Sequence, residues 1–129
     1  MNTEIRATIA KAKKLAKNID VDRQEILLQI AQYIEECVIE KRSAELVFIC
    51  THNSRRSHLG QVWASIMAEE FSIPGVKTFS GGTEATACHP NTLAALKAQG
   101  VEVQSGEGEN PLQTLSWGTS NEEIGRAHV

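Results

Sequence analysis

The spacing of apolar and polar positions changes several times along the chain. Residues 3–17 are rich in Ala and Lys, with Ile5, Ile9 and Leu15 on roughly one side, which predicts a helix. Asn18 and Asp20 interrupt it. Residues 21–42 predict a second helix. Ile26, Leu27, Ile30, Ile34 and Val38 fall at helical spacing, and Glu and Gln fill the positions between. The two segments together read as a helical hairpin placed before the main domain. The period then changes. Residues 45–50, ELVFIC, are β-formers apolar on both faces, as expected of a parallel strand covered by helices on both sides. Residues 57–72 predict a helix with the stripe Leu59, Val62, Trp63, Ile66, Met67 and Phe71, ended by Pro74 and Gly75. VKTFS, 76–80, is a second strand closed by Gly81 and Gly82. Residues 89–99 form a helix with Gly100 at its C-terminal end, and VEV, 101–103, a third strand. This alternation predicts an α/β fold with a parallel sheet and flanking helices. Beyond about residue 104 no period holds.

Composition narrows the class. The 129 residues suffice for one modest domain, and 41% apolar with 22% charged residues is ordinary globular usage. A net charge of -3 gives no argument for nucleic acid or a membrane surface as partner. No apolar run is long enough to span a bilayer, and the N-terminus lacks the apolar core of a secretory signal. Cys37, Cys50 and Cys88 are odd in number and widely spaced, a poor disulfide framework. A reducing, cytoplasmic setting is expected. Cys37, inside a predicted helix, is expected to pack. No cofactor is implied. His58 and His89 have no metal-ligand spacing, so no metal is expected, and each reads as a surface or capping residue.

The last seven residues stand apart. A common sequencing-adapter string, GAG ATC GGA AGA GCA CAC GTC TGA with its first base taken from the insert, translates as Glu-Ile-Gly-Arg-Ala-His-Val and a stop. Residues 123–129 are therefore expected to be a non-native tail, with the native sequence cut short near Glu122. Three parts result: a helical extension over 1–43, a partial catalytic domain over 44–122, and the tail.

The candidate chemistry lies at the end of the first strand. Cys50 is followed by Thr51, His52, Asn53, Ser54 and Arg55, then by Arg56 and Ser57 at the start of a helix. A cysteine at a strand end is often only a small buried hydrophobe. Here the spacing Cys-x5-Arg sits between a buried strand and a helix, as an anion-binding turn requires. In a tight curl the backbone N–H groups of 51–56 point inward and make a nest. The helix N-terminus adds partial positive charge. Arg56 can grip two oxygens of a tetrahedral oxyanion in its planar fork. These surroundings, with the Ser57 hydroxyl, favour the Cys50 thiolate and poise it for in-line attack. Asn53 suits a left-handed backbone position.

The motif "VFICTHNSRRS" resembles the C-x-G-N-x-C-R-S loop of the low-molecular-weight protein tyrosine phosphatases and the thioredoxin-coupled arsenate reductases, which share one fold. "SGGTEA", 80–85, resembles that family's second strand end, and "HPNTLAALKAQGVEV" its following helix and strand. The resemblance covers about residues 45–115 and implies a three-layer, Rossmann-like α/β domain. It implies Cys50 as nucleophile, Arg56 as oxyanion binder, Ser57 as thiolate stabiliser, Asn53 as the loop-shaping residue and Ser80 as loop support. Three features depart from the family pattern. His52 replaces a glycine, Arg55 replaces a second cysteine, and the helices of 1–43 lie outside the minimal domain. Family phosphatases carry a late Asp-Pro whose aspartate is the general acid, and family reductases carry two late cysteines in a "CSDAD"-type segment. Neither occurs in these residues, and the general acid stays unassigned. Should an acid lie within them, Glu84 is the first candidate. Cys88 lies too early to be a reductase thiol and is expected to pack near a helix start.

The leading expectation is a phosphatase that hydrolyses phosphotyrosine or a small aryl phosphate through a phosphocysteine. The alternative is an arsenate reductase using the same loop, with thioredoxin or glutaredoxin as partner. A third reading is a non-catalytic oxyanion-binding module. Only about three strands and two core helices are expected, so the apolar faces of the 46–50 and 76–80 strands should stand partly open.

Overall fold

The structure is a computed structural model that describes residues 1–84, 86–118 and 121–125. Its elements run α1 (Thr3–Leu15), a 3₁₀ turn (Ala16–Asn18), α2 (Val21–Ile39), β1 (Ala44–Cys50), α3 (Arg56–Glu70), β2 (Val76–Gly82), α4 (Pro90–Ala98), β3 (Glu102–Ser105), β4 (Gln113–Ser116) and β5 (Asn121–Ile124). The class is α/β, as the periodicity predicts. β1 and β2 pair in parallel, from Ala44 opposite Val76 to Cys50 opposite Gly82. The two strands therefore end side by side, at the place where α3 begins.

α3 covers one face of this pair. An alanine Cβ at Gly60 would fall 2.5 Å from the Phe48 ring, so glycine is what lets the helix lie this close to β1. Against β2 the contact is polar. Gln61 donates to the Thr78 carbonyl, and Ser65 Oγ lies 2.7 Å from Thr78 Oγ1. The opposite face stays open, with Val47, Ile49 and Phe79 each about half exposed. α2 runs along the β1 edge, where the Tyr33 hydroxyl accepts the N–H of Glu45. Most of the α2 stripe read from the sequence is solvated, with Ile26, Leu27, Ile30 and Val38 exposed. Cys37 is its one fully covered residue, packed as expected.

Residues 101–103 do not extend the parallel pair. β3 pairs antiparallel with β4, and β4 with β5, in a separate sheet. Four-residue strands are too short for their alternation to stand out in the sequence. In β4 the alternation is present, since Gln113 and Leu115 are buried while Thr114 and Ser116 are not.

The core lies between α1, α3, α4 and this second sheet. It joins Ile5 and Ile9 to Val62, Ile66, Leu96, Val101, Leu115, Trp117 and Ile124, with Cys88 at its margin. α1 is thus part of the core rather than an appendage. Asn2 caps it by accepting from the Ile5 N–H, and donates to the carbonyls of Gly100 and Trp117. Gly100 has φ +102°, and a Cβ there would fall 2.8 Å from the Ile5 nitrogen. Glu123 and Ile124, assigned from the sequence to a non-native tail, pair in β5, and Ile124 is buried. Residues 126–129 of that tail lie outside the described residues. Among the described residues no helix is long and apolar enough to cross a membrane.

Candidate functional site

Residues 51–55 carry the chain from β1 to α3 in a tight bend. The carbonyls of this bend are taken up on its outer side. Thr51 O accepts from the Glu84 N–H at 2.9 Å and from Thr83 Oγ1. His52 O accepts from Thr86 Oγ1. Ser54 O accepts from the His89 N–H at 3.0 Å and from Thr92 Oγ1 at 2.8 Å. With those carbonyls tied outward, the N–H groups of the bend are left for the inner side. Asn53 adopts φ +46°, the left-handed turn of the bend. A Cβ at Gly82 would fall 2.6 Å from the Asn53 nitrogen, so the end of β2 supports the bend only because it is glycine.

Cys50 stands at the inner side. Ser57 Oγ lies 3.1 Å from its Sγ, and buried Asn53 donates through Nδ2 to the same hydroxyl at 2.8 Å. That bond occupies a Ser57 lone pair and leaves the hydroxyl proton for the sulfur. Burial pushes the Cys50 thiol up. Hydrogen bonds from the Ser57 hydroxyl, then from the backbone of Ser57, Ser54 and Asn53, outweigh it and bring the thiol down to about 7. The other thiols differ. Cys88 is buried, which pushes it up to about 11, and Cys37 is wholly buried.

Cys50, His52, Ser54, Arg55, Arg56 and Thr86 line one open cavity of about 630 Å³. Both arginines are exposed on it, so the structure brings Arg55 as well as Arg56 to the anion site. Ser80 is buried behind the bend and meets it through His58, whose Nδ1 lies 3.2 Å from Ser80 Oγ. His58 is fully buried, which corrects the reading of it as a surface or capping residue. Burial holds its imidazole below the ordinary histidine range, with the Asn53 backbone partly offsetting this. His89 is a cap, accepting from the Asn91 N–H at the start of α4.

The outer wall was not legible in the sequence. Thr83, Thr86 and Thr92 fasten the bend; Thr83 lies in the "SGGTEA" stretch and Thr92 in "HPNTLAALKAQGVEV", but nothing there states their partners, and Thr86 carries no motif. Among the described residues no cluster of His, Cys, Asp and Glu could hold a metal.

No family model matches the chain, and no solved structure matches it. Over 61 residues it is 33% identical to Arsenate reductase 2 of Staphylococcus haemolyticus, which covers 46% of this chain and 43% of that protein. It is 33% identical over 61 residues to the arsenate reductase of Bacillus subtilis, covering 40% of that protein. The matched stretch thus spans less than half the length of these curated relatives. Over that stretch they support kinship with the family that the Cys-x5-Arg loop resembles.

Proposed function

We propose that this protein binds arsenate in the turn between β1 and α3 and begins its reduction through Cys50. The setting of Cys50 carries the reading: a thiol brought down to about 7 by Ser57 and the surrounding backbone, in a cavity with two arginines. The relatives named above are arsenate reductases, which favours this chemistry over the phosphotyrosine hydrolysis first expected from the loop.

The oxyanion takes the inward N–H groups of the turn, the N-terminus of α3 and the planar fork of Arg56. Ser57 holds the thiolate, Asn53 orients Ser57, and Ser80 steadies the turn through His58. The Cys50 thiolate attacks arsenic. An S–As bond forms, an As–O bond breaks, and the departing oxygen takes a proton and leaves as water. A second thiolate then attacks Cys50 Sγ. The S–As bond breaks, its electron pair goes to arsenic, and arsenite leaves. Two thiols have supplied two electrons and end as a disulfide. Cys37 and Cys88 are buried and are not the second thiol in this reading, in which a thioredoxin or glutaredoxin is the reducing partner.

That same burial favours a second reading. With one accessible thiol among the described residues, hydrolysis of a phosphate monoester needs only Cys50, a phosphocysteine and water. One experiment separates the two. The protein is incubated with arsenate and dithiothreitol, and arsenite is measured. In parallel it is given p-nitrophenyl phosphate, and Cys50 is examined by mass spectrometry. Arsenite formation that Cys50→Ser abolishes is the expected result. Phosphocysteine with no arsenite would replace the first reading by the second, and neither product would overturn both.

A further inference from the structure

His52 lines the Cys50 cavity and is paired with Glu84. His52 Nδ1 lies 3.0 Å from Glu84 Oε2, and the two side chains are 56% and 58% exposed. A contact this exposed contributes little to stability. The segment that carries Glu84 is nonetheless fastened to the turn on both sides. The Glu84 N–H and Thr83 Oγ1 bond Thr51 O, and Thr86 Oγ1 bonds the carbonyl of His52 itself. Three hydrogen bonds therefore hold the segment that carries Glu84 beside the turn that carries His52.

We propose that His52, oriented by Glu84, is the acid that protonates the oxygen leaving the tetrahedral centre. The inference rests on the oxyanion chemistry of Cys50 proposed above. In-line attack places the leaving oxygen opposite the sulfur, toward the cavity mouth. His52 lines that cavity with Cys50, whereas Glu84 does not and is engaged with Nδ1. A carboxylate only accepts, so Nδ1 carries a hydrogen and Nε2 is left for the proton in transit. Histidine exchanges protons near neutrality, which suits the task. As the S–As or S–P bond forms and the bond to the leaving oxygen breaks, the imidazolium proton passes to that oxygen. Water or an alcohol departs, and neutral His52 remains beside Glu84. The other charged or titratable groups on this cavity are Cys50, Arg55 and Arg56.

The test uses the full chain, with arsenate as probe and dithiothreitol as reductant. Arsenate protection of Cys50 against iodoacetate reports the cradle, and arsenite release across pH 6–9 reports the proton. In His52→Gln, protection should stay within about threefold of wild type. Turnover should fall by at least about 100-fold, and the alkaline limb, where the acid loses its proton, should flatten. In Glu84→Gln turnover should fall while arsenate protection of Cys50 is kept, a split that loss of a purely structural contact would not give. Protection with an unaltered rate and pH profile in His52→Gln would overturn the assignment while leaving the oxyanion reading intact. Loss of protection and of turnover in wild type would overturn both.

Discussion

Cys50 and Cys88 are thiols of one chain that their surroundings push in opposite directions, to about 7 and about 11. Iodoacetate at pH 7.5 should therefore label Cys50 at least tenfold faster than Cys37 or Cys88, and arsenate or phosphate should suppress the reaction. Ser57→Ala removes a hydrogen bond to a charged group, worth about 1.5–3 kcal/mol, and should slow labelling at pH 7 by tenfold or more. Arg56→Lys should weaken arsenate protection more than Arg55→Ala, because a point charge cannot replace a fork. Equal losses would mean that Arg55, which shares the cavity, shares the grip. The two thiols also act oppositely on stability. Cys50 ionises more easily folded than unfolded, so its contribution is full above about pH 9 and fades as pH falls toward 7. Cys88 holds its proton to about 11 when folded, so unfolding gains from ionisation as pH rises from 9 toward 11. Urea midpoints measured at pH 9 and 10.5 should drop more in wild type than in Cys88→Ala.

At the scale of elements, one close approach holds the site and one buried helix face holds the core. Gly82→Ala would drive a Cβ against the Asn53 nitrogen and should abolish arsenate protection of Cys50 while leaving the far-ultraviolet spectrum nearly unchanged. Ile5→Ala should cost about 2–5 kcal/mol in urea unfolding, as for a core position, because Ile5 is fully buried. A merely appended α1 would show almost no change. The sequence was informative where one element carries its own signal. The runs of β1 and β2, the helical period of α3 and the Cys50-to-Ser57 spacing are local, and the structure places them accordingly. What could not be read depends on partners far away in the chain. Ile5 and Ile9 look the same whether a helix stands free or packs on Leu96 and Trp117. β4 and β5 are too short to show a period, and the third strand read in VEV is present as β3 but pairs antiparallel in a separate sheet, because nothing in VEV states its partner. His58 looked like a surface residue because its burial is imposed by Ser80 and the bend, not by its neighbours in sequence.

For the whole molecule, the covered and uncovered surfaces are unevenly divided. Val47, Ile49 and Phe79 face outward from the parallel pair, and Ile26, Leu27, Leu28, Ile30 and Ile39 do so from α2. Apolar surface of this kind promotes association. Light scattering should show concentration-dependent self-association, and Val47→Thr with Ile49→Thr should reduce it without altering Cys50 labelling. A different consequence follows from the way Asn2 is held. Its bonds to Gly100 and Trp117 close the beginning of the chain onto residues about a hundred positions later. During synthesis the first helix leaves the ribosome long before the carbonyls that bind it exist. Its Ile5 and Ile9 must wait, solvated, until Leu115 and Trp117 have been translated, so α1 is made well before it can find its place. A nascent chain stalled before residue 100 should therefore expose α1 to protease, and one released after residue 125 should protect it.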